Sequence, residues 1–141
     1  MKKIKQFTMV LIAVFAIQCY GQTNDETKIK TVIANFSKAG DTNNTAKLES
    51  CLDHNYRIIM NQLFGSADVT IMLKREYLKK IESKEFGGDK RSLEFMEIVL
   101  NGNTATAKVL FKGSKMTATS LITLVKHKNG QWKLINDVPV I

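Results

Sequence analysis

Asp137 is the residue of this chain best suited to acid–base chemistry. It lies on the last predicted strand, with Ile135 on the same face and Val138 beside it. A carboxyl group in apolar surroundings has a raised pKa and can act as a general acid or base near neutral pH. We favour the alternative interpretation, an exposed aspartate at a strand end that pairs with a lysine. Glu97 is a weaker candidate of the same kind.

A second group of candidate residues alternates along the first predicted strand. Tyr56, Ile58 and Met60 are two residues apart, so their side chains share one face of that strand. Together with Asp137 they predict a ligand site, because apolar walls with one or two polar groups are typical of small-molecule pockets. An apolar stripe is more often core than ligand site, and both interpretations stay open. His54 begins the strand, either at the pocket mouth or simply in solvent.

Other site chemistries find little support in the sequence. His54, His127 and Cys51 show no spacing typical of metal ligands. No local signature of an activated serine or cysteine nucleophile is present. The Gly87-Gly88 pair follows a predicted helix and not a strand, which disfavours a phosphate-binding loop. We therefore predict neither a metal nor a cofactor.

The positive charge of the chain does not indicate nucleic-acid binding. The sequence has 21 basic and 13 acidic residues, a formal net charge of +8. The basic residues are scattered, and those of one predicted helix, around Lys74 to Lys80, are interleaved with glutamates. Interleaved charge of this kind is typical of a solvated helix face. We predict no nucleic-acid partner.

The first 21 residues have the pattern of a cleavable signal peptide. Lys2, Lys3 and Lys5 precede an uncharged, mostly apolar run from Phe7 to Ile17, and cleavage is predicted after Gly21. A helical run of this length spans roughly half of a bilayer's hydrocarbon core, so we predict no stable membrane span. The protein is therefore expected to be exported, to the periplasm or the extracellular space.

Cys19 leaves a second possibility for the N-terminus. A bacterial lipoprotein would begin at an acylated Cys19, but Gln18 stands where small residues usually precede such a cysteine. With cleavage after Gly21, residues 22–141 form one domain whose single cysteine, Cys51, has no internal disulfide partner. The fold must then be stabilised by its core.

The hydrophobic periodicity of the mature chain predicts helices first and strands later. Ile29, Val32, Ile33 and Phe36 form the stripe of a one-sided helix that ends at Gly40. The remaining predicted elements are a short helix (45–52), a strand (54–61), a helix (69–84) and a four-strand antiparallel meander (92–100, 104–111, 116–127 and 132–138). This order indicates an α+β fold with helices on one face of a curved sheet.

The strand from Met116 to His127 carries apolar residues on both faces. Ile122 and Leu124 share one face, and Leu121 and Val125 share the other. The helices can cover only one of these faces. The other predicts a partner, and we expect a homodimer formed through the sheet.

Two segments of the chain resemble a known superfamily. The opening, Ile29–Phe36 with Lys38-Ala39-Gly40-Asp41 and Lys47-Leu48, resembles that of nuclear transport factor 2-like domains. The last predicted hairpin, Leu121–Lys126 followed by Asn129–Asn136, is similar to that of the superfamily's putative lumazine-binding branch. The similarity extends over about Asp25 to Val138.

The resemblance implies a cone: a strongly bent antiparallel sheet wrapped on about three N-terminal helices, with an apolar pocket at the open end. It also implies dimerisation through the outer face of the sheet. The superfamily's ketosteroid isomerases use a tyrosine and a carboxylate, and Ile33 or Phe36 and Met60 or Asn61 fall at those positions here. Isomerase chemistry of that kind is therefore not expected.

Two hypotheses of function follow from the sequence. The first is an exported, non-catalytic domain that binds a small apolar or aromatic molecule or serves for dimerisation. The second is a lyase, isomerase or hydrolase that uses Asp137, with His54 as a possible second group.

Overall fold

The computed structural model describes residues 24–141 of the chain. The predicted signal peptide, residues 1–21, lies outside the described residues. Residues 24–41 are helical and form α1, followed by a short helix α2 (Thr45–Cys51) and a later helix α3 (Lys74–Glu82). No helix of the described part is long and apolar enough to cross a membrane.

Within residues 24–141, six strands form one open sheet in the order β2-β1-β6-β5-β4-β3. Their bounds are β1 Leu52–Asn61, β2 Val69–Leu73, β3 Ser92–Asn101, β4 Thr104–Lys112, β5 Thr117–Lys126 and β6 Trp132–Val140. The predicted α+β cone is confirmed. Register shifts between β1 and β6, between β3 and β4 and between β5 and β6 mark the irregularities that bend such a sheet.

The sheet is mixed, whereas the sequence predicted an antiparallel one. β1 pairs with β6 in parallel, and the other four pairings are antiparallel. A parallel pair needs a long crossover, which the chain between residues 62 and 131 supplies. The meander of β3 to β6 was predicted correctly, but nothing in its periodicity identifies β1 as the neighbour of its last strand.

The predicted helix from Val69 to Lys84 is wrong in its first five residues. Val69–Leu73 forms the edge strand β2, which pairs with β1 through contacts such as Ile59 with Ile71. Val-Thr-Ile is rich in β-branched residues, which lose side-chain freedom in a helix and pack well on a sheet. Pairing with β1 therefore determines that this segment is a strand, and α3 begins only at Lys74.

The core lies between the helices and the inner face of the sheet. α1 contributes the stripe that its spacing predicts, with Ile29, Ile33 and Phe36 all buried. Tyr77 and Ile81 of α3 are buried against the same core. Burial of this apolar surface is the main favourable term in folding, and the described residues contain no disulfide to assist it.

A network of hydrogen bonds ties the end of α1 to the segment that enters β3. Asn43, in the left-handed region at φ 49°, donates to the carbonyls of Ile81 and Phe86 at 2.9 and 2.7 Å. The Gly88 amide donates to the Gly40 carbonyl at 3.2 Å. A Cβ at position 87 would lie 2.3 Å from that carbonyl, so the close approach requires Gly87.

Candidate functional site

A cavity of about 370 Å³ opens between the inner face of the sheet and the helices. Its walls are mainly apolar, with side chains from α1, α3 and four strands. Representative members are Phe36, Ile58, Met60, Ile81, Phe86 and Phe111. A cavity of this size with apolar walls suits a small organic molecule.

Asp137 lines this cavity from the centre of the sheet. It is paired with Ile58 of β1 on one side and Ile122 of β5 on the other, and both are buried. Its side chain is 7% exposed, and no ion pair to it exists within residues 24–141. The favoured interpretation from sequence, an exposed aspartate paired with a lysine, is therefore wrong. The alternative, a carboxyl group in apolar surroundings, describes what the structure shows.

The surroundings of Asp137 change its acidity. Burial raises the pKa of the carboxyl group from 3.8 to about 6, although the neighbouring Ser120 hydroxyl and the Arg91 guanidinium act in the opposite direction. Its Oδ1 atom has no hydrogen-bond partner in the described part of the chain. A buried polar atom without a partner is uncommon in proteins and marks a position that a bound group can satisfy.

Two tyrosines lie close enough to Asp137 for its charge to change their pKa values. Burial raises the pKa of both Tyr56 and Tyr77, and the negative charge of Asp137 raises them further. Their rings are 5.9 Å apart and both contact Phe36. The phenolic hydroxyls are therefore protonated at neutral pH, and that of Tyr56 has no hydrogen-bond partner among residues 24–141.

Arg91 is a cation of the cavity wall, but its hydrogen bonds are directed away from Asp137. Its Nε donates to Asp41 Oδ1 at 2.5 Å, and its Nη2 donates to the Ser37 carbonyl at 3.1 Å. Its backbone amide also donates to Asp41, at 3.1 Å. The guanidinium is thus fixed by the end of α1, and it acts on Asp137 only through space.

The four site residues predicted from sequence are near one another but do not all reach the cavity. Ile58, Met60 and Asp137 line it, whereas Tyr56, only 1% exposed, is absent from its lining and is packed into the core. Ligand binding by these four residues stays a prediction. Cys51 is a buried core residue, and burial raises the pKa of its thiol.

The remaining sequence candidates lie away from the cavity. The side chain of His54 is 81% exposed and contacts Asp53, which also accepts a hydrogen bond from His127 at 2.9 Å. Glu97 is exposed on the edge strand β3 and does not line the cavity. Within residues 24–141, no group of three or more His, Cys, Asp or Glu residues is arranged to hold a metal ion.

Sequence reasoning missed three polar residues of the site. Tyr77 belongs to the apolar stripe of α3, so periodicity predicted its burial but not the neighbouring carboxylate. Ser120 is one of the alternate residues of β5 that face inward, and β5 pairs with β6, the strand of Asp137. Arg91 follows the Gly87–Asp89 loop, and no periodicity indicates that it turns inward.

The chain matches a known family over nearly all of its described length. The family described as putative lumazine-binding matches residues 24–138. No curated protein matches the sequence.

Solved structures with the same fold share little sequence with this chain. A nuclear transport factor 2-like protein of unknown function from Silicibacter pomeroyi DSS-3 has a TM-score of 0.74 at 12% identity, covering 85% of this chain and 98% of its own. One from Shewanella baltica OS155 has a TM-score of 0.72 at 13% identity, with 84% and 94% covered. A protein from Shewanella frigidimarina NCIMB 400, described as a putative ketosteroid isomerase, has a TM-score of 0.57 at 19% identity, with 78% and 92% covered. Likeness at these identities shows the fold and does not extend to function.

The buried carboxyl group should make stability depend on pH. Because the pKa of Asp137 is about 6 when folded and 3.8 when unfolded, its favourable contribution is fully present below 3.8 and is lost as pH rises through 6. At about 1.36 kcal/mol per pKa unit, the loss is about 3 kcal/mol. Asp137→Asn should therefore raise the free energy of unfolding at pH 8 by an amount of that order and change it little at pH 4.

Urea denaturation between pH 4 and pH 8 measures this difference. Glu97→Gln, which removes an exposed carboxylate, is the matched control and should show no comparable pH-dependent gain. A gain for Asp137→Asn that is the same at both pH values, or a loss at pH 8, would contradict the burial argument.

Proposed function

The chain belongs to the putative lumazine-binding family of nuclear transport factor 2-like proteins, and from this membership we propose that its cone binds a small, largely apolar or aromatic molecule. The predicted resemblance to this branch is confirmed by the family match. The observation that best supports the proposal is the cavity of about 370 Å³ with apolar walls and one buried carboxyl group. The family description favours a flat heteroaromatic ligand.

A second candidate function is catalysis by Asp137. A carboxyl group with a pKa of about 6 exchanges its proton near neutral pH, as a general acid or base must. Two protonated tyrosine hydroxyls lie near it, and such hydroxyls can stabilise developing negative charge. This arrangement would suit a lyase, isomerase or hydrolase, although His54 does not line the cavity.

A thermal-shift screen of flavin-like, pterin-like, steroid-like and fatty-acid compounds tests the binding proposal. A ligand at 100 times its dissociation constant stabilises the folded state by about 2.7 kcal/mol. For a domain of this size, that corresponds to an increase in melting temperature on the order of ten degrees. If no compound changes the melting temperature by more than about a degree, the binding proposal is wrong. Chemical conversion of a hit that Asp137→Asn abolishes, with binding retained, would establish the catalytic alternative.

We further propose that the domain is a homodimer formed through the outer face of its sheet. That face carries an apolar patch, here called the outer patch, made of Ile59, Ile71, Leu121 and Val138. Ile59 pairs with Ile71, and Leu121 pairs with Val138. The helices cover the opposite face, where Ile122 is buried. An exposed apolar patch on a sheet is typical of a protein–protein interface.

Leu121→Lys should convert the dimer to a monomer, because it places a charge within the outer patch, at its β5 end. Val99→Lys is the matched control: Val99 is 50% exposed and Leu121 is 51% exposed, but Val99 lies on the edge strand β3 outside the patch. Light scattering at micromolar concentration should give twice the mass of one chain for the wild type and the control, and the mass of one chain for Leu121→Lys. A monomeric wild type at high concentration would rule out the dimer.

We also propose that the protein is exported, on the basis of Lys2, Lys3, Lys5 and the apolar run from Phe7 to Ile17. The mature protein is expected to begin at or near Gln22. Intact-mass measurement of the periplasmic or secreted fraction identifies the N-terminus. A mature chain that begins at a diacylated Cys19 would instead establish a lipid-anchored protein, and retention of residues 1–21 would refute the signal peptide.

A further inference from the structure

Two buried polar atoms at or near the cavity have no hydrogen-bond partner among the described residues. A carboxylate only accepts hydrogen bonds, and Asp137 Oδ1 accepts none from residues 24–141. The hydroxyl of Tyr56, which is packed into the core on the neighbouring strand β1 and does not line the cavity, is also without a partner in that part of the chain. Both side chains are more than nine-tenths buried. The cavity therefore has one hydrogen-bond acceptor, Asp137 Oδ1, to which no described residue donates.

The groups that face Asp137 from the surrounding elements do not neutralise it. Ser120 on β5 interacts with the carboxyl group, and Tyr56 on β1 and Tyr77 on α3 are neutral phenols. Arg91, from the segment before β3, donates to Asp41 and to the Ser37 carbonyl. No salt bridge reaches Asp137 from any described residue, so beyond the Ser120 hydroxyl the charge of the carboxylate is stabilised only by Arg91, through space.

We infer that the ligand of this cavity has an apolar body that ends in an N–H or O–H donor, which binds the carboxylate of Asp137. This inference rests on the proposed binding function and narrows its ligand class. A molecule whose polar end can only accept, such as an ether, leaves the carboxylate without a partner. A molecule that ends in its own carboxylate adds a second negative charge beside it.

The expected discrimination is large enough to measure. A hydrogen bond to a buried charged group is worth roughly a tenfold to hundredfold change in affinity. Sites built to hydrogen-bond a ligand hydroxyl or amine reject the analogue that lacks it, because the buried group of the protein is then left unpaired. Protonation of Asp137 turns the carboxyl group into a donor as well, so the discrimination should weaken below about pH 6.

Three naphthalenes with different polar ends test this inference on the purified protein. The probes are 2-naphthol, which donates, 2-methoxynaphthalene, which only accepts, and 2-naphthoate, which is an anion. By calorimetric titration at pH 7.5, 2-naphthol should bind at least about tenfold more tightly than 2-methoxynaphthalene, and 2-naphthoate should bind most weakly. At pH 5 the difference between the first two should shrink.

Asp137→Asn should remove most of the discrimination at both pH values, because an amide both donates and accepts. Glu97→Gln removes a carboxylate outside the cavity and should leave the affinity ratio unchanged. A ratio that persists at pH 5 and in Asp137→Asn would assign the discrimination to the size of the methyl group and overturn the inference.

Two further outcomes separate this inference from the proposed function. Equal affinity of the wild type for 2-naphthol and 2-methoxynaphthalene at pH 7.5 would overturn the donor requirement and leave the binding function intact. No binding of any of the three probes at millimolar concentration would count against the binding function itself, and the donor requirement would then fail with it.

Discussion

The parallel pairing of β1 with β6 is the constraint on which the rest of the structure depends. It joins the half of the chain that contains the helices to the meander formed by the last four strands. Without it, β1 and β2 would be separated from the sheet that β3 to β6 form. The same pairing sets Ile58 beside Asp137, so the contact that closes the fold also creates the apolar surroundings of the carboxyl group.

The two ends of the cone are fixed by different polar interactions. At one end, Asp25 accepts hydrogen bonds from Lys126 and from the indole of Trp132 at 2.8 and 3.1 Å, which tie α1 to the last hairpin. At the other end, the Arg91–Asp41 ion pair and the Asn43 hydrogen bonds hold the loop near the cavity without filling it. Polar interactions therefore fix the position of α1 at both ends of the cone.

Much of this fold could be predicted from the sequence because most of its elements have local signals. The stripe of α1 and the turns around Gly102 and Gly130, both at positive φ, follow from periodicity and turn chemistry. Strand β2 could not be predicted in this way, since its five residues also continue the apolar pattern of α3. The burial of Asp137 was predicted wrongly for a similar reason: alternation places it on a face, but only the pairing of β6 between β1 and β5 shows that both neighbours are apolar.

The buried position of Asp137 lowers the stability of the fold, so stability does not explain why an aspartate is there. Replacing a buried, unpaired charged group by a neutral one usually stabilises a protein, since a desolvated charge costs free energy. The domain has enough buried apolar surface to tolerate that cost, with Ile29, Leu124 and Leu134 fully buried in one core. Sequences tend to depart from the most stable arrangement where binding or catalysis requires it. Here the departure is a carboxylate at the centre of the sheet, next to a cavity and with one oxygen that no described residue satisfies. The same feature that weakens the fold is thus the one on which the proposed selectivity of the cavity rests.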